Sequence, residues 1–290
     1  MRLNMKGWLV VNTFMDNQKF VNLYKLLSDA FNKNNVSIEI KRAEDISLEV
    51  GKTIENKPDF AIFWDKDIYL AERLEQNGIR LFNNSHAVSL CDNKALMYQE
   101  LAKNNIRIPR TFIAPKTFEG LNYSNRSFLD EVIKEVGWPI VIKEVYGSFG
   151  EQVYLANNKE EANAIIDRIG HKDFLMQEFI SSSKGRDIRI NVVGDQVIAS
   201  MLRENPNDFR SNISNGGTGT NYQPSQEYID LAIKASKALG LDFAGVDVMF
   251  GKDGPIICEI NSNPQFASTL KATGINLADS IVDYILRQVC

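Results

Sequence analysis

Two apolar runs near the end of the chain are each broken by acidic residues: Ala244-Gly245-Val246-Asp247-Val248-Met249-Phe250 and Ile257-Cys258-Glu259-Ile260-Asn261-Ser262-Asn263-Pro264. Side chains two apart on a strand share a face, so Glu259 and Asn261 project together, and Asp247 joins them from a neighbouring strand. An unpaired carboxylate buried among Val, Ile and Met is costly, which favours a functional site over the competing reading, a polar rim on a half-exposed sheet. Two carboxylates and an amide oxygen form a hard donor set. Magnesium prefers such donors and completes its shell with water and nucleotide phosphates, so the pattern predicts a metal–nucleotide site at Asp247, Glu259 and Asn261.

The rest of the chain predicts an α/β protein. Gly7 to Thr13, Val36 to Lys41 and Asp59 to Trp64 read as strands, Lys19 to Asn32 and Leu70 to Asn77 as helices, and Ile79 to Phe82 as extended. That alternation predicts a small open unit with a parallel sheet. No GxGxxG follows the first strand, so no dinucleotide site is expected there. Asp92 is the expected N-cap of a helix from Asn93 to Asn104, with a boundary near residue 90. Next come a helix over Phe128 to Val136, a hairpin of Pro139 to Glu144 and Gln152 to Ala156 around Gly147-Ser148-Phe149-Gly150, a helix over Glu160 to Ile169 and a strand over Phe174 to Ile180.

A turn at Gly194-Asp195 should join Ile188 to Val193 with Gln196 to Met201. With a two-residue loop, Arg186 falls opposite Arg203, and Arg189 lies on the other face. Asn205 to Asn221 reads as a loop, Glu227 to Leu239 as a helix, Phe243 to Phe250 and Ile256 to Ile260 as strands, and Leu277 to Gln288 as a closing helix. The expected units are 1–90, 91–180 and 181–290.

Further candidates are cationic or lie at the ends of strands. Lys143 ends a buried strand just before a glycine-containing flap, where a compact cation and close backbone N–H groups suit phosphate oxygens; a solvated lysine beside an ordinary turn is the alternative. Met176-Gln177-Glu178-Phe179-Ile180 mixes apolar walls with hydrogen-bonding groups, as an adenine slot requires; an edge strand with one exposed glutamate would look the same. Arg186, Arg189, Arg203 and Arg210 gather near Ser211 and Asn212, and guanidinium groups clamp carboxylates and phosphates bidentately. Solvated arginines are nonetheless the commoner state.

Composition excludes several classes. Among 290 residues, 37 acidic against 33 basic side chains give a net charge of −4, with no general attraction for nucleic acid or anionic membrane. No apolar stretch approaches the roughly 18 residues of a membrane span, and Trp8 to Val11 is too short for an export signal. Cys91, Cys258 and Cys290 lie far apart and are odd in number, so neither a CxxC pair nor a disulfide framework is expected, which fits a reducing cytoplasm. His86 and His171 alone leave no zinc site or histidine-based triad to expect.

Taken in order, Lys94, Lys143 with Gly147-Ser148-Phe149-Gly150, Gln177-Glu178-Phe179-Ile180, Gly185-Arg186-Asp187-Ile188-Arg189, Phe209-Arg210-Ser211-Asn212, Asp247 and Glu259-Ile260-Asn261 resemble the RimK-like (α-L-glutamate ligase type) branch of the ATP-grasp superfamily. The resemblance implies a pre-ATP-grasp α/β domain, a central lid and a C-terminal catalytic domain. It implies that Lys94 and Lys143 contact nucleotide phosphates, with Ser148 in the flap above them. Glu178 and Phe179 would meet adenine and hinge, Asp187 the nucleotide sugar, and Arg210, Ser211 and Asn212 the phosphates. Asp247, Glu259 and Asn261 would hold two magnesium ions, with Mn2+ as a substitute. Arg203 and Lys143 are then the candidate catalytic residues.

The implied activity is ATP-dependent carboxylate–amine ligation through an acyl phosphate. Glutamate or another amino acid would be joined to a peptide, a protein C-terminus or a small-molecule acceptor, and a homo-oligomer is compatible with this. The chain departs from the family pattern at Asn261-Ser262-Asn263-Pro264-Gln265-Phe266, where many glutamate-adding members read Asn-Ala-Ser-Pro-Gly. Rival readings are another ATP-grasp ligase, of the D-alanyl-D-alanine or glutathione-synthetase type, and a non-catalytic nucleotide-binding protein.

Overall fold

A computed structural model describes residues 5–46, 49–148 and 150–289. Strands β1 (Lys6–Val11), β2 (Ser37–Arg42), β3 (Phe60–Trp64) and β4 (Leu81–Phe82) form a parallel sheet in the order β2-β1-β3-β4. The inner strands β1 and β3 are apolar on both sides because both faces are covered, whereas the edge strand β2, Ser-Ile-Glu-Ile-Lys-Arg, alternates with polar residues. Leu9, Val11, Ile62 and Trp64 pack on α1 (Gln18–Lys33), while Trp8, Val10 and Phe63 pack on α2 (Ile68–Gln76).

Helices α3 (Ser85–Asp92) and α4 (Lys94–Lys103) follow. The expected Asp92 cap is corrected: Asp92 ends α3, and Asn93, extended at φ −100° and ψ 99°, accepts from Leu96 N at 3.0 Å to start α4. A second, antiparallel sheet has the order β5-β8-β6-β7, from β5 (Thr111–Ile113), β6 (Ile140–Glu144), β7 (Val153–Ala156) and β8 (Phe174–Glu178). It is backed by α5 (Ser127–Val136) and α6 (Lys159–Ile169).

The third sheet carries the candidate residues Asp247, Glu259 and Asn261. It runs β11-β10-β9-β12-β13, from β9 (Arg186–Val193), β10 (Gln196–Glu204), β11 (Thr218–Asn221), β12 (Phe243–Gly251) and β13 (Gly254–Asn261). Alternation separates its two faces. Ile188, Ile190 and Val192 of β9, with Val246 and Val248 of β12, pack with Met97 and Tyr98 of α4 and Ala232 and Ala235 of α7 (Gln226–Ala238). Asp187, Arg189 and Asp247 therefore share the opposite face.

The Gly194-Asp195 turn forms as predicted, with Gln196 opposite Val193, but a bulge between Val197 and Ala199 shifts the ladder by one. An extra residue on one strand changes every later partner. The expected Arg186–Arg203 pairing is thus overturned: Arg203 faces Asp187, Glu204 faces Arg186, and Arg203 shares a face with Arg189. The end of the predicted 205–221 loop is also corrected, because Thr218–Asn221 pairs with β10 as β11.

After the short α8 (Ala267–Thr273), the closing helix α9 (Leu277–Val289) joins the core that holds α1 and the first sheet. Trp64 of β3 stacks on Phe243 of β12 at 5.4 Å, and Asn83 Nδ2 donates to the carbonyls of Phe243 and Ser262, both at 2.9 Å. These contacts bring the end of the first sheet against the end of the third. Cys91 and Cys258 are free thiols, and Cys290 lies outside the described residues. No helix among the described residues is long and apolar enough to cross a membrane.

Candidate functional site

Two adjoining cavities open on the polar face of the third sheet. The first, about 110 Å³, is lined by Lys94, Lys143, Ser148, Glu178, Phe179, Asp187, Arg203, Arg210, Ser211, Asn212, Asp247 and Glu259, while the predicted Asn261 and Arg189 lie outside it. The second, about 200 Å³, takes in Asn261 and shares Ser148, Arg203, Asn212 and Glu259 with the first. The trio of oxygen donors is therefore gathered. Asp247 lies directly opposite Glu259 in the ladder, and Asn261 stands two residues further along the same strand as Glu259. A bulge after Asp247 lets Ile257 and Ile260, three apart, both reach the core and leaves Glu259 on the site face.

Lys143 and Lys94 meet the first cavity from different elements. Lys143 Nζ donates to Tyr98 Oη at 3.1 Å, and Lys94 Nζ donates to Gly147 O at 2.8 Å and lies 3.5 Å from Glu259 Oε1. Burial disfavours the Lys143 charge, but the Tyr98, Cys258 and Glu259 side chains outweigh it and hold its pKa above the usual lysine range. Tyr98 was not singled out from the sequence. Its place on α4, one turn after Lys94, is the signal that could have found it.

The acidic and basic side chains of the third sheet form one network. Arg203 grips both oxygens of Asp187, Nε to Oδ1 at 2.7 Å and Nη2 to Oδ2 at 2.5 Å, and reaches Asp247 Oδ2 at 3.0 Å. Arg189 holds the same Asp247 through Nε and, at 2.8 Å, through Nη2. Burial would raise the Asp247 pKa, yet the two guanidinium groups hold it below the ordinary carboxylate range. Desolvation likewise opposes the Arg203 charge, and Asp187 and Asp247 more than offset it.

The flap and the 205–221 segment meet over the first cavity. Arg210 Nη1 donates to Gly150 O at 2.6 Å while its Nη2 holds Asp208 at 2.7 Å. Lys66 Nζ, from the loop after β3, bridges Asp92 Oδ1 at 2.7 Å and Ser148 Oγ at 3.2 Å. Phe149 of the flap lies outside the described residues. At the far end, Glu178 Oε1 accepts from Arg110 N at 2.8 Å, and the Phe179 ring meets that of Phe209 edge-on at 6.5 Å.

Among the described residues, no three His, Cys, Asp or Glu side chains are grouped to hold a metal unaided. Two carboxylates and one amide are hard oxygen donors of the kind magnesium takes alongside water and phosphate oxygens, and the Asp247 oxygens among them are held by Arg189 and Arg203.

A cleft between an antiparallel sheet and an acid-bearing sheet is the arrangement of an ATP-grasp ligase fold. A RimK-like ATP-grasp domain family model matches residues 91–285, and the chain belongs to that family. It is 34% identical over 263 residues to "Uncharacterized protein MG012 homolog" of Mycoplasma pneumoniae, covering 89% of this chain and 91% of that one. It is 36% identical over 220 residues to a probable alpha-L-glutamate ligase of Maridesulfovibrio salexigens, covering 74% and 70%. In fold it is similar to a RimK domain ATP-grasp protein of Sphaerobacter thermophilus, with a TM-score of 0.73, 20% identity and coverage of 97% and 98%. ATP-grasp proteins use ATP with magnesium.

Proposed function

We propose that the protein is an ATP-dependent ligase that joins an amino acid, glutamate or another, to a carboxylate-bearing peptide, protein C-terminus or small molecule. The observation that carries this reading is the wall shared by the two cavities, where Arg203 and Glu259 border both. The first cavity suits a nucleotide, with adenine near Glu178 and Phe179, ribose near Asp187 and phosphates near Lys94, Lys143, Ser148, Arg210, Ser211 and Asn212. The second has room for the molecules to be joined. This reading treats 91–180 as the lid, 181–290 as the catalytic unit and 1–90 as the substrate-side unit.

A carboxylate oxygen is a poor leaving group. Attack of the acceptor carboxylate on the γ-phosphorus breaks the bond to ADP and makes an acyl phosphate; the amine then attacks the acyl carbon, phosphate leaves and a proton is released. Lys143 and Arg203 supply fixed positive charge where phosphoryl charge spreads; the hydrogen bond to Tyr98 holds Lys143 in place before substrate arrives, and the ion pairs with Asp187 and Asp247 hold Arg203. Magnesium, in one or two ions held by Asp247, Glu259 and Asn261, would neutralise phosphate charge. The flap, latched by Arg210 and Lys66, excludes water that would hydrolyse the intermediate.

The test is ADP release across a matrix of amino acids and carboxylate acceptors, with products weighed by mass spectrometry. Amine-dependent release is expected in the wild type and should vanish in Asp247→Asn and Glu259→Gln. ATP binding without release for any pair would favour a non-catalytic nucleotide-binding protein.

A further inference from the structure

Ten buried side-chain nitrogen and oxygen atoms among the described residues have no hydrogen-bond partner, and four belong to residues lining the second cavity. They are one donor, Trp64 Nε1, and three acceptors, Asp65 Oδ2, Asn263 Oδ1 and Gln265 Oε1. Buried polar atoms are paired in native structures as a rule, because each one left open forfeits the hydrogen bonds it made to water. A concentration of open atoms around one cavity needs a cause.

Hydrogen bonds fix the orientations of Asn263 and Asp65. Asn263 Nδ2 donates to the Asp65 carbonyl at 2.8 Å; a carbonyl only accepts, so the amide nitrogen faces it and Oδ1 is left over. Asn12 Nδ2 at 2.9 Å and Lys66 N at 2.6 Å both donate to Asp65 Oδ1, which leaves Oδ2 open. Asp65 is only 5% exposed, and of the cations lining this cavity Lys66 is engaged with Asp92 and Ser148, Arg189 with Asp247 and Arg203 with Asp187. None of Asp65, Asn263 and Gln265 lines the nucleotide cavity. Asn263 and Gln265 also stand where the glutamate-adding pattern has Ser and Gly, and a glycine would supply no side-chain oxygen.

We propose that Asp65, Asn263 and Gln265 recognise a substrate ammonium, with Trp64 Nε1–H meeting the carboxylate of the same molecule, so that the second cavity takes a zwitterionic α-amino acid. A negative carboxylate and two amide oxygens are acceptors for the three N–H bonds of an ammonium, and an indole N–H is a donor for a carboxylate. This rests on the ligase reading and deepens it, assigning the residues that select the amine substrate. Burial pushes the Asp65 carboxyl above its ordinary pKa, as expected of a group whose cationic partner has yet to arrive.

Calorimetry on the intact protein with magnesium and AMP-PNP tests this without turnover. The probes are three pairs differing only in the ammonium: L-glutamate and glutarate, L-alanine and propionate, L-phenylalanine and 3-phenylpropionate. At least one amino acid should bind on the order of 10- to 100-fold more tightly than its partner, the range of hydrogen bonds to a charged group. Asp65→Asn should close most of that gap, and Asn263→Ser and Gln265→Gly should each narrow it, with AMP-PNP affinity held. Should Asp65→Asn fail to fold, the other two variants carry the same comparison.

Equal binding within every pair, a gap that survives in all folded variants, or no binding of any probe at about 10 mM overturns the assignment. Ammonium-dependent binding in a protein that releases no ADP upholds the subsite and sinks the ligase reading alone.

Discussion

Arg203 and Asp187 face each other across β9 and β10 and share two hydrogen bonds of 2.7 and 2.5 Å, both side chains nearly closed to solvent. A buried pair of this kind is worth little against two apolar residues but is expensive to halve. Arg203→Met should therefore destabilise the fold by about 3–5 kcal/mol, because Asp187 stays behind uncompensated. Asp187→Asn combined with Arg203→Met should cost less than the sum of the single changes. Urea titration measures both, and a cost below about 1 kcal/mol for Arg203→Met would contradict the pairing.

Gly150 has φ +76°, and a Cβ there would lie 2.8 Å from Asn212 Oδ1. Alanine pays both for the left-handed backbone and for the close contact, at a point where Arg210 already fixes the flap through the Gly150 carbonyl. Gly150→Ala should raise the KM for ATP roughly tenfold, about 1.4 kcal/mol of lost binding, with little change in Tm. An unchanged KM would remove the flap from the nucleotide site.

The raised pKa of Asp65 sets a pH dependence whose sign is fixed. Burial is the main cause, outweighing the hydrogen bonds from Asn12 and the Lys66 amide. A carboxyl whose folded pKa exceeds its unfolded one favours the fold most below the unfolded value, and that contribution is lost as pH rises through the folded value. Ligand-free Asp65→Asn should hence melt higher than wild type at about pH 7, and the difference should shrink towards about pH 4. Parallel melting curves across that window would refute the shift.

Much of this site could be read from residues in order. The acids of β12 and β13 interrupt apolar runs, and period-two alternation then places them on one face. Arg203 was misassigned because the extra residue at the Val197–Ala199 bulge leaves no mark in an otherwise regular apolar strand. β11 escaped notice for the opposite reason: Thr218–Asn221 has no apolar alternation and is held by its pairing with β10. The second cavity was invisible because Asp65 and Asn263 come from different sheets, and local spacing says nothing about how sheets dock. One signal was available. Asp65 directly follows a buried parallel strand, and ligands of such sheets gather at the carboxyl ends of strands.

Strand β9 turns Ile188, Ile190 and Val192 one way and Asp187, Arg189 and Asn191 the other. Structural and chemical demands thus fall on alternate letters of a single eight-residue word. Asp187 and Arg189 thus face the polar side while Ile188, Ile190 and Val192 hold the strand to its helices, and inserting or deleting one residue between them would exchange the two roles beyond that point.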